Sequence, residues 1–256
     1  MTIIQSIILG ILEGITEFLP ISSTGHLILA NKIFGIVDES FTKSFTIAIQ
    51  FGAILAVVVL YWQKIFLNKN LFKKVLVAFL PTAVLGFLFY KILKQFLLES
   101  TTIVLWSLII GGVALIIFEL WYKKQDKDLH TENITYKKSF FIGVFQSLAI
   151  IPGISRAAST IVGGLLMGIK RQTIVEFSFL LAVPTMAAAT AYDLYKSAGN
   201  FSFDNFYILA IGFIVSFGVA VFAIKWLLKF IQNHTFISFG AYRIVVAMLF
   251  WMLIVR

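Results

Sequence analysis

The chain has 256 residues, 60% of them hydrophobic and only 13% charged, with a mean hydropathy of +0.96. Soluble domains average about 45 to 50% apolar and about 25% charged residues, so the composition excludes a soluble globular domain and predicts an integral membrane protein. Its net charge of +9 falls mostly on Lys residues in short loops between apolar runs, which reads as a positive-inside bias rather than a nucleic-acid surface, and the absence of Cys excludes disulfides and thiolate chemistry.

The first segment, about 3–36, is apolar, then interrupted by Pro20 and small polar residues, then apolar again. Each half is too short to cross a hydrocarbon core about 30 Å thick. Non-helical backbone at membrane depth is tolerated only where protein or a wet cavity satisfies it, so the segment is expected to be a re-entrant helical hairpin. Its opening run, Ile3 to Leu12, lacks a basic leading region and a cleavage site of small residues, and is not read as a removed signal peptide.

Within that hairpin, "EGITEFLPISSTGH" gathers Glu13, Glu17, several hydroxyls and His26 into fourteen positions. Glu13 and Glu17 are four apart, so on a helix they share a face with Cβ atoms about 5 to 6 Å apart. Two carboxylates so close and away from bulk water require a cation or a proton between them. They suit a divalent metal with hard oxygen ligands or a general acid/base pair. Ser22 or Ser23 is a natural N-cap for the next helix. His26 lies one turn further on, and an imidazole near hydroxyls and carboxylates is the constellation that activates a weak nucleophile.

Three full spans are predicted next, at about 42–62, 73–91 and 101–122, followed by a solvated linker at about 123–138. The segment 139–169 then repeats the apolar, broken, apolar pattern and is expected to be a second re-entrant hairpin. Its break reads "PGISRAAST", Pro152 to Thr160. Pro-Gly interrupts the backbone, Ser155 can cap, and a short helix starting near Arg156 would place free N–H groups at membrane depth, where they bind phosphate. Arg156 adds an always-charged planar fork that holds phosphate oxygens through two donors at once. Further spans are predicted at about 172–192, 207–228 and 239–255. Gln50, Glu119, Glu176 and Asp193, in or at the ends of spans, are expected to hydrogen-bond between helices.

Sliding the sequence by 133 positions lays "SIILGILEGITEFLPISS" from Ser6 over "SFFIGVFQSLAIIPGISR" from Ser139. Ser6 falls on Ser139, Gly10 on Gly143, Glu13 on Gln146 and Ser22 on Ser155. The expected fold is an all-α polytopic membrane domain over 1–256, with repeat 1 at about 1–122 and repeat 2 at about 139–256. Each copy holds one re-entrant hairpin and three transmembrane helices, and three spans per copy invert the second relative to the first. Inverted repeats place a shared site near the midplane, where broken helices meet. The loops near 63–74, 122–138, 170–171 and 225–229 carry thirteen Lys and Arg against six on the other side, so they are expected in the cytoplasm with both termini outside.

"LEGITEFLPISSTGH" and "PGISRAAST" resemble the signatures of the undecaprenyl-diphosphate phosphatase family, bacterial membrane enzymes associated with bacitracin resistance. The resemblance extends over nearly the whole chain, including the order of hairpins and spans. It implies removal of one phosphate from undecaprenyl diphosphate in the bacterial plasma membrane, with a divalent cation required. Matched by position, it points to Glu13, Glu17, Ser22, Ser23, His26, Ser155, Arg156 and Thr160. One position departs from the family pattern, since Ala157 stands where a Ser commonly follows the Arg.

The resulting expectation is a lipid-diphosphate hydrolase. Glu17, Ser23, His26 and Arg156 are the catalytic candidates, and Ser22, Ser155, Arg156 and Thr160 bind substrate phosphate. Glu13 and Glu17 hold a divalent cation, Mg2+ or Ca2+. The attacking group is Ser23, His26 or a metal-bound water. Expected partners are the polyprenyl diphosphate, membrane lipids and, as an open option, a second copy in a homodimer; nucleic acid is not one. An ion-coupled transporter or lipid flippase is the rival reading, because inverted repeats and buried carboxylates describe those too, but a transporter has no need of a nucleophile.

Overall fold

The computed structural model describes residues 1–36, 39–92, 100–123, 131–197 and 206–254. Positions 124–130 of the expected linker, most of the loop at 193–206 and Arg256 lie outside the described residues. Among the described residues the fold is all-α. In chain order the helices are α1 (Ile3–Thr16), α2 (Ser23–Ile33), α3 (Glu39–Phe66), α4 (Lys69–Ile92) and α5 (Thr101–Tyr122), then α6 (Tyr136–Gln146), α7 (Arg156–Leu166), α8 (Arg171–Ser197), α9 (Phe206–Asn233) and α10 (Ile237–Ile254).

Local chemistry sets the starts of several helices. Thr2 and Gln5 form a capping box on α1, with Thr2 Oγ1 accepting from the Gln5 N–H at 3.2 Å and Gln5 Oε1 accepting from the Thr2 N–H at 2.7 Å. Thr135 caps α6 by accepting from the Lys138 N–H at 3.2 Å, and Ser100 caps α5 through the Ile103 N–H at 3.3 Å.

Five helices are long and apolar enough to cross a membrane: Phe41–Phe66, Lys69–Phe89, Thr101–Tyr122, Arg171–Tyr192 and Phe206–Asn233. The sixth expected span is a shorter helix. α10 has 18 residues, about 27 Å at 1.5 Å per residue, and begins at Ile237, just after the turn that follows the end of α9 at Asn233. Each of the two broken segments is a pair of short helices, α1 with α2 and α6 with α7, and the members of each pair pack together.

Small residues bring the helix axes close, as expected where lipid supplies no hydrophobic drive between helices. α1 packs on α9 at Gly10, where a Cβ would come within 2.8 Å of the Gly212 carbonyl oxygen. α5 and α10 cross at Gly112 and Gly240, each of whose Cβ positions lies 2.7 Å from the other's carbonyl oxygen. Buried hydroxyls add hydrogen bonds between helices: Ser6 Oγ donates to Ile208 O at 2.8 Å and Ser216 Oγ to Ile49 O at 2.7 Å. Outward faces remain apolar, with Ile110, Ile117 and Phe222 all exposed, which suits contact with acyl chains.

The largest buried cluster lies where the two breaks meet the spans. It joins Phe18, Leu19 and Ile21 of the first break to Ala157, Ile161 and Leu165 of α7 and to Phe177, Phe179 and Leu180 of α8. Phe18 and Phe179 meet edge-to-face with ring centroids 5.5 Å apart. Towards one end of the bundle, Arg171 of α8 grips Glu119 of α5 through two bonds of 2.6 and 3.0 Å and lies 4.7 Å over the Phe236 ring. Lys64 of α3 pairs with Glu176 of α8. The described end of the linker is also tied down: the Thr131 N–H donates to Gly168 O and Thr131 O accepts from the Lys170 N–H, both at 2.9 Å.

Candidate active site

Glu17 caps the C-terminus of α1, and the chain then turns through Pro20 into Ser22. Ser22 has φ 72° and ψ 92°, the one non-glycine residue with positive φ among those described. Such a backbone costs about 1 to 3 kcal/mol and persists only where its surroundings hold it. Here Ser22 Oγ accepts from the Gly25 N–H at 3.4 Å, while Ser22 O accepts from the His26 N–H at 3.3 Å and from His26 Nδ1 at 2.7 Å. A carbonyl oxygen can only accept, so Nδ1 carries the proton. The other ring nitrogen, Nε2, lies 3.0 Å from the hydroxyl of Tyr242 on α10.

In the second break a short 3-10 turn, Ser147–Ile150, leads into Pro152 and Gly153. Gly153 has φ 90°, and a Cβ there would meet Ser107 Cβ at 2.7 Å and Val104 O at 2.8 Å, so only glycine lets this turn press onto α5. Ser155 caps α7 by accepting from the Ala158 N–H at 3.2 Å, and its hydroxyl also reaches Leu19 O in the first break at 3.5 Å.

The two breaks converge on Glu17. Its Oε1 accepts from Arg156 Nη2 at 3.0 Å, and its Oε2 accepts from Ser23 Oγ. Arg156 Nη1 donates to Ser178 O at 2.8 Å, while Arg156 Nε is buried with no partner. Both ionic side chains are largely shielded, at 11% exposure for Arg156 and 7% for Glu17. Glu13, one turn before Glu17, is fully buried, and neither of its carboxylate oxygens has a hydrogen-bond partner. A buried group in that condition requires a proton or a cation.

The candidates therefore separate by surroundings. Glu13, Glu17, Ser23 and Arg156 form a connected or adjacent group. His26 lies in the same turn but bonds Ser22 O and Tyr242, and no hydrogen bond joins it to Ser23. The Thr160 hydroxyl bonds Arg156 O and Ala157 O, each at 3.0 Å, and Ser178 Oγ at 2.6 Å, which steadies the first turn of α7. Ser159 donates to Ser155 O at 3.0 Å, and Ala157 is buried in the apolar cluster.

Arg243 of α10 was outside the expected site and proves central to its frame. It is 1% exposed and donates to four backbone carbonyls: Ser107 and Gly153 at 3.0 Å, Leu108 at 3.4 Å and Pro20 at 3.5 Å. One guanidinium thus ties both breaks to α5. Gly111 makes room for it, since a Cβ there would lie 2.1 Å from Arg243 Nη2. An Arg within the apolar run 239–255 was the available signal, because intramembrane charges rarely lack a role.

Hard-oxygen chemistry fits the carboxylate pair. Among the described residues no group of three or more His, Cys, Asp and Glu gathers, and two carboxylates are the usual protein share where Mg2+ completes its shell with water and substrate phosphates. The unpartnered oxygens of Glu13 are the observation that favours such a cation.

Comparison with known proteins gives the family. Residues 6–249 match the family described as bacitracin resistance protein BacA. The undecaprenyl-diphosphatase of Sulfurihydrogenibium sp. is 53% identical over 253 residues, covering 98% of this chain and 99% of its own. Those of Aquifex aeolicus and Persephonella marina are 50% and 52% identical, each covering 98% of both chains. With both polar breaks inside the matched region, this chain belongs to the BacA family of bacitracin resistance proteins.

Proposed function

We propose that this chain hydrolyses undecaprenyl diphosphate to undecaprenyl phosphate and inorganic phosphate, recycling the carrier lipid of cell-wall synthesis. The similarity to undecaprenyl-diphosphatases over nearly the full length supports the reaction. The observation that carries the site is the bonded series Ser23–Glu17–Arg156, which sets a hydroxyl, a base and a phosphate-binding fork side by side.

In this reading Ser23 Oγ attacks the terminal phosphorus and Glu17 accepts the hydroxyl proton. The bond from that phosphorus to the bridging oxygen breaks and undecaprenyl phosphate leaves. Water then attacks the phosphoserine, the Ser23 Oγ–P bond breaks, and Ser23 regains its proton from Glu17. Arg156 holds the phosphoryl oxygens through donors that include its unpartnered Nε. The N-termini of α2 and α7, capped by Ser22 and Ser155, offer further N–H groups, and Thr160 steadies the turn that carries Arg156. His26 fixes the backbone that presents Ser23. Glu13 with Glu17 would hold a divalent cation, Mg2+ or Ca2+, whose charge offsets that of the diphosphate when bound.

The architecture we propose is the inverted-topology repeat with two re-entrant hairpins, both termini outside a bacterial plasma membrane. Paired packing supports it: α1 lies on α9 as α6 lies on α4, and α3 lies on α9 as α8 lies on α4. Gly143 meets Ala78 O on α4 as Gly10 meets Gly212 O on α9. A homodimer belongs to the same reading and is checked by the mass of the solubilised enzyme.

The test is phosphate release from undecaprenyl diphosphate by purified, detergent-solubilised protein, with and without chelator. The parent should release phosphate, and Arg156→Lys should lose at least about a hundredfold in kcat/KM because an ammonium cannot reproduce the fork. No release by the parent removes the function; an active Lys variant removes only the fork.

A further inference from the structure

α10 carries Tyr242 and Arg243 side by side, and both reach the breaks that form the site. Arg243 does so through backbone carbonyls. Tyr242 does so through one side chain, His26.

The geometry selects one tautomer of the neutral His26 ring. Nδ1 lies 2.7 Å from Ser22 O and must donate, so in the neutral ring Nε2 is a bare lone pair. The Tyr242 hydroxyl, 3.0 Å from Nε2, is then the donor, and the two ring planes lie within 6° of parallel. Were the proton moved to Nε2, the Nδ1 lone pair would face the Ser22 carbonyl lone pairs, and Ser22 O would lose the shorter of its two donors. That carbonyl belongs to the residue with positive φ, whose backbone depends on such contacts and which directly precedes Ser23.

We infer that Tyr242 is a positioning residue for the reaction: its hydroxyl, donated to His26 Nε2, locks the imidazole in the Nδ1–H tautomer and so holds the strained Ser22 backbone from which Ser23 is presented. The inference rests on the site reading given above. Tyr242 itself touches neither Ser23 nor Glu17 through any hydrogen bond in the structure, so it acts through His26.

Nitrogen-15 NMR of protein labelled at histidine, with Tyr242→Phe and His26→Asn as variants, tests this directly. His26→Asn identifies the His26 signals by their loss. The parent should show the Nδ1–H pattern at His26, and Tyr242→Phe, which keeps the ring and removes only the hydroxyl, should show a mixture with the Nε2–H form. The same variant should lower kcat about threefold to tenfold, the size of one lost hydrogen bond, with KM little changed. In the His26→Asn background the Tyr242→Phe change should have no further effect. An unchanged tautomer in Tyr242→Phe, or the same loss of turnover with and without His26, overturns the inference. Full turnover in His26→Asn would overturn it as well, because Tyr242 acts on the reaction through His26.

Discussion

The two breaks in the bundle hold matching positions under opposite conditions. Glu13 and Gln146, 133 residues apart in the aligned segments, are both fully buried. The Gln146 amide is well supplied, donating from Nε2 to Thr82 Oγ1 at 2.9 Å and to Thr185 Oγ1 at 3.2 Å. Neither oxygen of Glu13 has a partner. The same contrast holds in the turns. Gly153 adopts its positive φ freely, whereas Ser22 adopts one at a cost. In one break every buried side-chain polar atom is paired except Nε of the Arg156 that it lends to its neighbour. The other keeps unsatisfied groups and a strained backbone, which are tolerated where something else is to bind.

The strongest way to break this contrast is to make the first break resemble the second. Glu13→Gln should lower kcat by about a hundredfold or more, in the range of an acid/base or metal-holding group. It should also leave the fold as stable as the parent or more so, because an unpartnered buried carboxylate is removed. Phosphate release and thermal unfolding in detergent, measured on the same sample, check both halves. Near-parent turnover would place Glu13 among the structural residues.

The converse change is expected to act on stability instead. Gln146→Glu puts a carboxylate where Thr82 and Thr185 now meet an amide that donates to both, and should cost about 2 to 3 kcal/mol, the penalty of a buried group short of partners. A markedly lower unfolding temperature is the expected result; an unchanged one would mean that α4 and α8 can reorganise around a charge.

The smallest effect is predicted far from both breaks, at Glu132 beside the linker. Lys170, 2.8 Å away, holds this carboxyl below its usual 4.5 through a hydrogen bond and its charge. A carboxyl lowered in the folded state contributes stability above the unfolded value and loses it as pH falls through the folded one. The pair is well exposed, so the contribution is expected to be barely measurable. Glu132→Gln should match the parent in unfolding temperature at acidic pH and differ slightly, if at all, at pH 7.

Much of this site could be read from residue types alone. Glu13, Glu17 and Arg156 stand out because ionisable groups are rare in an apolar chain, and Pro20 and Pro152 mark where helices must stop. What stayed hidden were the partners. Ser178, Pro20 and Ser107 take part through carbonyl oxygens, which every residue carries and no letter advertises. Tyr242 is one more aromatic residue of an apolar helix until the fold sets its hydroxyl beside His26 of α2. Thr160 shows the reverse problem, since its type suited phosphate while its hydroxyl bonds Arg156 O, Ala157 O and Ser178 Oγ. The last span, expected at about 239–255, is legible almost to the residue, since α10 runs Ile237–Ile254.

Arg243 has a consequence for how such a site can vary. All four of its acceptors are main-chain oxygens, so the clamp does not read the side chains at Pro20, Ser107 and Leu108, while Gly153 is held to glycine by its own fit against α5. The spacing between the two breaks is thus fixed by a part of the protein that does not read their sequence. Side chains in either turn other than Gly153 can be exchanged, and the chemistry retuned, without resetting the gauge across which a diphosphate must fit.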